Sequence, residues 1–342
     1  MTNNSLILGI DTSCDETSVA ILKNGKEVLA NVVSSQIALH QMYGGVVPEI
    51  ASRAHTERIV PVVRLALKEA ACRYQDLTGV AVTTTPGLIG CLLVGLSYAK
   101  SLSYSLNIPL TAVHHLKGHL MSAFLEHDPV YPFLGVVVSG GHTAYYFVRN
   151  FNDIELVGTT VDDAAGEAYD KVAKLLKLGY PGGPLVDSLA GEGNDKRFTF
   201  TRARVKKGPY FLSFSGLKTA VAQLVRQFDG NDATFIRDIC ASFQKEVSEA
   251  LGEKIEMAAK EFGAMAIVLA GGVACNSRLR SKLREVSDKL AIPLLVPSPL
   301  NCTDNAAMIA YVGARQIDEG MIGALDLNAE ASTPLSIFYS QR

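Results

Sequence analysis

Phe133-Leu134-Gly135-Val136-Val137-Val138-Ser139-Gly140-Gly141-His142-Thr143 is the stretch that decides the fold. Its first six residues form a continuous apolar run of buried-strand length, closed by a turn of small and hydroxyl residues. Residues 144–148 read as a second strand and 154–158 as a third. The chain makes the same opening about 128 positions earlier. There, residues 6–10 are a short apolar run and Asp11-Thr12-Ser13-Cys14-Asp15-Glu16 is a polar turn. Residues 17–22 and 28–33 are two further strands, divided by Lys23-Asn24-Gly25-Lys26. A pattern repeated at that distance marks a duplicated unit.

Helices follow the strands in both copies. Ile59, Val62, Val63, Ala66, Leu67 and Ala70 fall at helical spacing, residues 79–82 form a strand ended by Thr85-Pro86-Gly87, and 88–106 is a long apolar segment suited to a buried helix. In the second copy residues 162–177 look helical, and Asp162, Asp163, Glu167 and Asp170 put carboxylates at the start, where they suit the helix dipole. Residues 195–218 read as an irregular basic insert. Ile239, Phe243, Val247, Leu251 and Ile255 mark a long helix, followed by strand Ala266–Ala270, the turn Gly271-Gly272-Val273-Ala274-Cys275-Asn276 and a helix over 277–289. After a strand at 294–296 and Pro297-Ser298-Pro299, Asp304 opens a final helix to about 319. The expectation is an α/β chain of two duplicated domains around a central cleft. The first spans 1–130 and the second 131–303, with an insert at about 160–235. A helix at about 304–320 is the candidate to pack back on the first.

A length of 342 residues suits two domains. The net charge of −2 gives no global pull toward polyanions, so a nucleic acid would have to meet a local basic patch. The six cysteines show no C-x-x-C pair and read as reduced thiols. No apolar run reaches the length of a membrane span, and the expected location is the cytoplasm. There is no G-x-x-x-x-G-K-[ST], which excludes a P-loop ATPase.

Chemistry concentrates in Val113-His114-His115-Leu116-Lys117-Gly118-His119. On a helix, His115 and His119 stand one turn apart, the spacing with which two imidazoles hold one metal ion. The zinc-protease pattern H-E-x-x-H would put its general base after the first histidine. Leu116 stands there instead, so the pair is not set up to activate water in that way. Asp304 could supply a third ligand if the fold brings its helix to the first unit; the plain alternative is a helix cap. The turns at Ser139–Thr143 and Asp11–Ser13 are candidates for a phosphate clamp, against the reading as ordinary hairpin turns. Gly271–Asn276 could take a flat purine or ribose against its glycines, with Asn276 bonding it. Pro181-Gly182-Gly183-Pro184 reads as a rigid loop with Asp187 nearby. Lys196, Arg197, Arg202, Arg204, Lys206 and Lys207, interleaved with Phe198 and Phe200, suit binding to a nucleic-acid backbone, or form a solvated loop.

Taken in order, the motifs at 12–17, 114–119, 138–143, 162–170, 181–184, 271–276 and 303–305 resemble one family nearly end to end. It is the bacterial tRNA N6-adenosine threonylcarbamoyltransferases (TsaD), earlier described as O-sialoglycoprotein endopeptidases. The resemblance implies the actin/Hsp70/sugar-kinase (ASKHA) fold around a nucleotide cleft. It implies one divalent metal ion, Fe2+ ahead of Zn2+, on His115, His119 and Asp304. It implies a threonylcarbamoyl-AMP donor lying against Val138, Ser139, Gly140, Gly141, His142, Asp170, Gly183, Asp187, Gly272 and Asn276. Glu16 and His142 are the candidates for a catalytic role. The reaction implied is transfer of the threonylcarbamoyl group to the N6 amine of the adenosine 3′ of the anticodon in tRNAs reading codons that begin with A. The partners implied are tRNA, an inactive paralogue (TsaB), a P-loop ATPase (TsaE) and an adenylate-making synthase, with a homodimer as the option for the chain alone. Lys117 departs from the family pattern, in which Glu or a neutral residue is common, and should face away from the histidines. Two alternatives belong to the same fold: a small-molecule kinase, which the histidine pair disfavours, and an inert scaffold paralogue, which the intact ligand set disfavours.

Overall fold

The computed structural model describes residues 5–202, 205–227 and 232–340. The chain divides into two compact units, Met1–Asp128 with Pro297–Arg342, and Pro129–Val296. In the first, β1 (Leu6–Asp11), β2 (Glu16–Lys23) and β3 (Glu27–Ser35) form an antiparallel meander. The short helix α1 (Ile37–His40) and the long helix α2 (Pro48–Glu69) follow; α2 starts with Pro48 in its first turn, where the missing N–H costs nothing. β4 (Gly79–Thr85), α3 (Ile89–Leu106) and β5 (Leu110–His114) then add two parallel strands, giving the order β3-β2-β1-β4-β5. α4 (His115–Met121) continues directly from β5.

The second unit repeats this plan with β6 (Phe133–Val138), β7 (Thr143–Asn150) and β8 (Asp153–Thr159). α5 (Ala165–Leu175), α6 (Gly182–Ala190), α7 (Ser215–Gln227) and α8 (Ala233–Phe262) lead to β9 (Ala266–Ala270), α9 (Ser277–Leu290) and β10 (Leu294–Leu295). Its sheet order is β10-β9-β6-β7-β8, with β6 antiparallel to β7 and parallel to β9, as β1 is to β2 and β4. The duplicated α/β fold is therefore present in both sheets. The chain returns to the first unit with α10 (Pro299–Cys302), α11 (Ala306–Asp318) and α12 (Leu335–Ser340).

Continuous apolar strands make the cores. Leu8, Ile10, Val19, Val63, Val82 and Leu96 are buried together in the first unit, each contributing roughly 1.5–3 kcal/mol by leaving water. α11 lies against β1, β4 and β2, and Gly9 is what lets it come so close. A Cβ at Gly9 would meet the Ala306 carbonyl oxygen at 2.4 Å and the Ala310 nitrogen at 2.8 Å. The Ala306 N–H donates to Ser18 Oγ on β2 at 2.8 Å, pinning the start of α11 to the sheet.

Two sequence expectations need correction. Pro181–Pro184 is not a free-standing loop: Pro181 caps α6, and Pro184 is tolerated in its first turn. The helix expected from Asp162 starts at Ala165, because Asp162 accepts hydrogen bonds from the Ser213 and Ser215 hydroxyls and the Phe214 N–H instead.

Candidate functional site

The geometry around α4 is set by what precedes and what faces it. β5 ends at His114, whose Nδ1 accepts from the Leu116 N–H at 3.2 Å and so caps the helix. His114 Nε2 meets the Thr333 carbonyl at 2.9 Å. α4 packs on α11 at Gly118, where a Cβ would approach Ile309 Cδ1 to 2.9 Å. His115 and His119 are buried, their rings 4.7 Å apart and nearly perpendicular at 88°.

Both imidazoles aim at one carboxylate oxygen. His119 Nε2 is 3.0 Å and His115 Nε2 3.6 Å from Asp304 Oδ1, across 185 positions of chain for the first pair. One donor atom from each of the three residues lies within 4.8 Å of the others. Ligand bonds of about 2.1 Å bring tetrahedral donors to about 3.4 Å apart, so this set needs only small adjustments to take an ion. His119 Nδ1 is buried with no hydrogen-bond partner among the described residues. Asp304 is not the helix cap: Asn305 holds that position, its side chain accepting from the Met308 N–H at 3.2 Å. That division leaves the Asp304 carboxylate to the histidines.

The other buried histidines show what a purely structural imidazole looks like here. His55 is tied to the Thr17 hydroxyl at 2.8 Å and the Cys14 carbonyl at 2.9 Å, and His40 to Gln36 at 3.3 Å. Among the described residues, only His115 and His119 converge on a carboxylate.

Behind His115 stands the turn after β1. Asp11 Oδ2 is 3.2 Å and Ser13 Oγ 3.3 Å from His115 Nδ1, fixing the ring through the nitrogen that faces away from Asp304. Thr12 donates its hydroxyl to the Cys91 carbonyl at 2.8 Å. The first-unit turn thus acts as a buried brace, its three side chains bonded inward. Burial disfavours charge on His115, but Asp11 and Asp304 outweigh it and raise its pKa well above the ordinary value. Asp304 is likewise opposed by burial, yet His115 and His119 hold it well below the usual carboxylate range. Burial, reinforced by Asp304 and Asp15, pushes Glu16 up to about 10. Lys117 is fully buried, its Nζ 3.9 Å from the centre of the Tyr339 ring; burial takes it down to about 7 against the pull of Glu319.

The residues expected around the donor all belong to the second unit. Val138 ends β6, and the turn Ser139–His142 is closed by the Ser139 N–H on the His142 carbonyl at 2.8 Å and the His142 N–H on Ser139 Oγ at 3.1 Å. Open space surrounds the Cβ directions of Gly140, Gly141, Gly183 and Gly272, with no atom within 4 Å. Asp170 accepts from the Gly182 N–H at 2.7 Å and anchors α6. Asp187, on α6, accepts from the Ser277 hydroxyl at 2.7 Å. Asn276 caps α9 through the Leu279 N–H at 3.0 Å. Sequence reasoning missed Gln244, which joins Asp187 to Asn276; a lone amide next to the apolar stripe of α8 was the signal.

In the basic insert, Arg197 pairs with Asp238 at 2.8 Å, and Arg202 pairs with Glu246 and Glu253. Those two cations hold the insert to α8. Lys207 lies over the Phe211 ring, at 5.1 Å. Lys196 and Lys206 have no ion pair among the described residues, and Arg204 lies outside them.

Two sheets of this order, each opened by a meander, give the chain a fold of the actin/Hsp70/sugar-kinase type, and solved structures agree on that fold. T. kodakarensis HypF superposes with a TM-score of 0.62 at 15% identity, covering 93% of this chain and 48% of that one. The Acidaminococcus fermentans (R)-2-hydroxyglutaryl-CoA dehydratase component A gives 0.55 at 17% identity, covering 92% and 99%. Sequence relatives are much nearer. The tRNA N6-adenosine threonylcarbamoyltransferase of Syntrophotalea carbinolica is 49% identical, with 96% of this chain and 97% of the relative covered. That of Thermodesulfovibrio yellowstonii is 51% identical over 96% and 100%, and that of Bacillus subtilis 47% over 98% and 97%. The family model for TsaD, tRNA N6-adenosine threonylcarbamoyltransferase, matches residues 27–311, and the chain belongs to that family. It is a transferase of tRNA modification. No helix among the described residues is long and apolar enough to cross a membrane.

Proposed function

We propose that the chain moves a threonylcarbamoyl group from threonylcarbamoyl-AMP to the N6 amine of the adenosine 3′ of the anticodon, in tRNAs reading codons that begin with A, with a divalent metal ion on His115, His119 and Asp304. The observation that carries the metal is the convergence of both Nε2 atoms on Asp304 Oδ1. Two imidazoles and one carboxylate suit Fe2+ or Zn2+ and leave coordination positions open, with Fe2+ put first on the family resemblance. When bound, the ion supplies Lewis-acid stabilisation of the negative charge that develops during transfer.

The donor is a mixed anhydride of a carbamate and a phosphate, so its carbonyl is already activated and no protein nucleophile is needed. The N6 nitrogen bonds to the carbonyl carbon, the bond from that carbon to the AMP oxygen breaks, and the amine gives up a proton. Of the two candidates for a catalytic role, His142 is the one to receive it, because Glu16, pushed up to about 10, already carries its proton and can only donate. In this reading Asp11 and Ser13 hold the His115 ring, while Val138–His142, Asp170, Gly183, Asp187, Gly272 and Asn276 bind and orient the adenylate. Lys196, Arg197, Arg202, Arg204, Lys206 and Lys207 are proposed to meet tRNA phosphates, with Lys196, Lys206 and Lys207 giving most of the effect. The working partners are a TsaB-type paralogue, a TsaE-type ATPase and a synthase supplying the adenylate, in the cytoplasm, with a homodimer as the option for the chain alone.

A single-turnover assay with preformed adenylate and unmodified tRNA tests the reading. His119→Ala should release most of the metal, melt near wild type, retain AMP binding and lose transfer by on the order of a thousandfold, about 4 kcal/mol. Asp304→Asn should fall between, since an amide oxygen ligates without charge. Full transfer by metal-depleted His119→Ala would return both histidines to a structural role.

A further inference from the structure

Gln244 lies on α8 with 3% of its surface exposed, and its two ends touch two different elements. Its Nε2 donates to Asp187 Oδ1 on α6 at 2.8 Å, and its Oε1 accepts from Asn276 Nδ2 before α9 at 2.8 Å. We propose that Gln244 is the positioning residue that fixes which atoms Asp187 and Asn276 present to the nucleotide. The inference rests on the reading that those two side chains bind the adenylate.

The direction of this relay is dictated by its ends. Asp187, as a carboxylate, only accepts, so Gln244 must turn its NH2 toward it and its carbonyl toward Asn276. Asn276 must then turn its NH2 toward Gln244 and its carbonyl toward the Leu279 N–H, which only donates and lies at 3.0 Å. Neither amide can flip without setting donor against donor or acceptor against acceptor. The Ser277 hydroxyl and N–H hold Asp187 from the other side, at 2.7 Å to Oδ1 and 3.1 Å to Oδ2. What is left over has a fixed character: one N–H of Asn276 to donate, and lone pairs on Asp187 Oδ2 to accept. That pair suits a ligand acceptor beside a ligand hydroxyl, as a nucleoside offers with a ring nitrogen or ether oxygen and its ribose hydroxyls.

Changing the polarity of Gln244 separates this role from simple packing. Gln244→Met keeps the length and the apolar packing but removes both hydrogen bonds; AMP affinity should fall about tenfold, equally at pH 5.5 and pH 8. Gln244→Glu puts a second carboxyl against Asp187, and two so close cannot both ionise. A proton shared at low pH restores a donor toward Asp187, so affinity should approach wild type at pH 5.5 and fall tenfold or more by pH 8. Burial holds Tyr169 protonated well above that range and pushes the Cys240 thiol up to about 12, and each variant is compared with wild type at the same pH because the AMP phosphate itself titrates at about pH 6. Calorimetry with AMP reads all three proteins, with Asp187→Ala alongside. Wild-type affinity in both Gln244 variants at both pH values, with Asp187→Ala weakened, would overturn the role of Gln244 alone. Wild-type affinity in Asp187→Ala would overturn the nucleotide reading beneath it.

Discussion

The two units carry the same sheet and use the turn after its first strand in opposite ways. After β1, Asp11, Thr12 and Ser13 are buried and each is bonded inward, two of them to His115. After β6, Ser139 closes a short turn, and Gly140 and Gly141 face open space. A duplicated frame has therefore given one copy a brace for a histidine and the other an open backbone surface. The polar side chains of the first fill the room that the glycines of the second leave empty. The difference teaches that fold repetition fixes where a turn stands, while the size of its side chains decides whether it braces a neighbour or leaves its backbone open.

That contrast predicts separable losses. The largest should come from Gly272→Val. Its Cβ direction is open, so the unit should fold normally while a branched side chain occupies the ligand's place. AMP affinity measured by calorimetry should drop about a hundredfold, roughly 2.7 kcal/mol, with metal content unchanged. Unaltered affinity would move the nucleotide elsewhere. Next is Gly9→Ala, which sets a methyl group against backbone atoms of α11 that cannot give way. Overpacking should cost about 2 kcal/mol in denaturant unfolding, and metal content should fall because Asp304 rides just ahead of that helix. A variant with normal stability and full metal would detach α11 from the site. The smallest effect should come from reversing Lys196, Lys206 and Lys207 to Glu. tRNA affinity should weaken, and its salt slope should flatten by roughly one unit for each phosphate that is no longer neutralised. An unmoved slope would make the insert a surface that tRNA does not meet.

Much of this was legible in the sequence where a single local pattern dominates. Continuous apolar runs gave Phe133–Val138 and Ala266–Ala270 with their observed ends, and i,i+4 spacing placed His115 and His119 on one helix. What stayed hidden depends on partners far along the chain. Ser13 reaches His115 across 102 positions, and nothing local distinguishes that turn from a ligand-facing one. Asp304 and Asn305 are adjacent and both suit a cap; only the docking of α11 at Gly9 shows which caps and which faces the histidines. Asp162 looks like the first residue of a helix until the 213–215 backbone is seen folded over it. Gln244 on an apolar helix names no partner by itself.

The metal's part in transfer is tested most directly by reconstitution. Chelator-treated wild-type protein is titrated anaerobically with Fe2+, and in parallel with Zn2+, while bound metal and single-turnover transfer are measured on the same samples. Transfer should be nearly absent in the stripped protein, rise in proportion to bound ion, and saturate at about one ion per chain, the number one two-histidine, one-carboxylate site holds. Full-rate transfer by the stripped protein, with no change as the site fills, would contradict it.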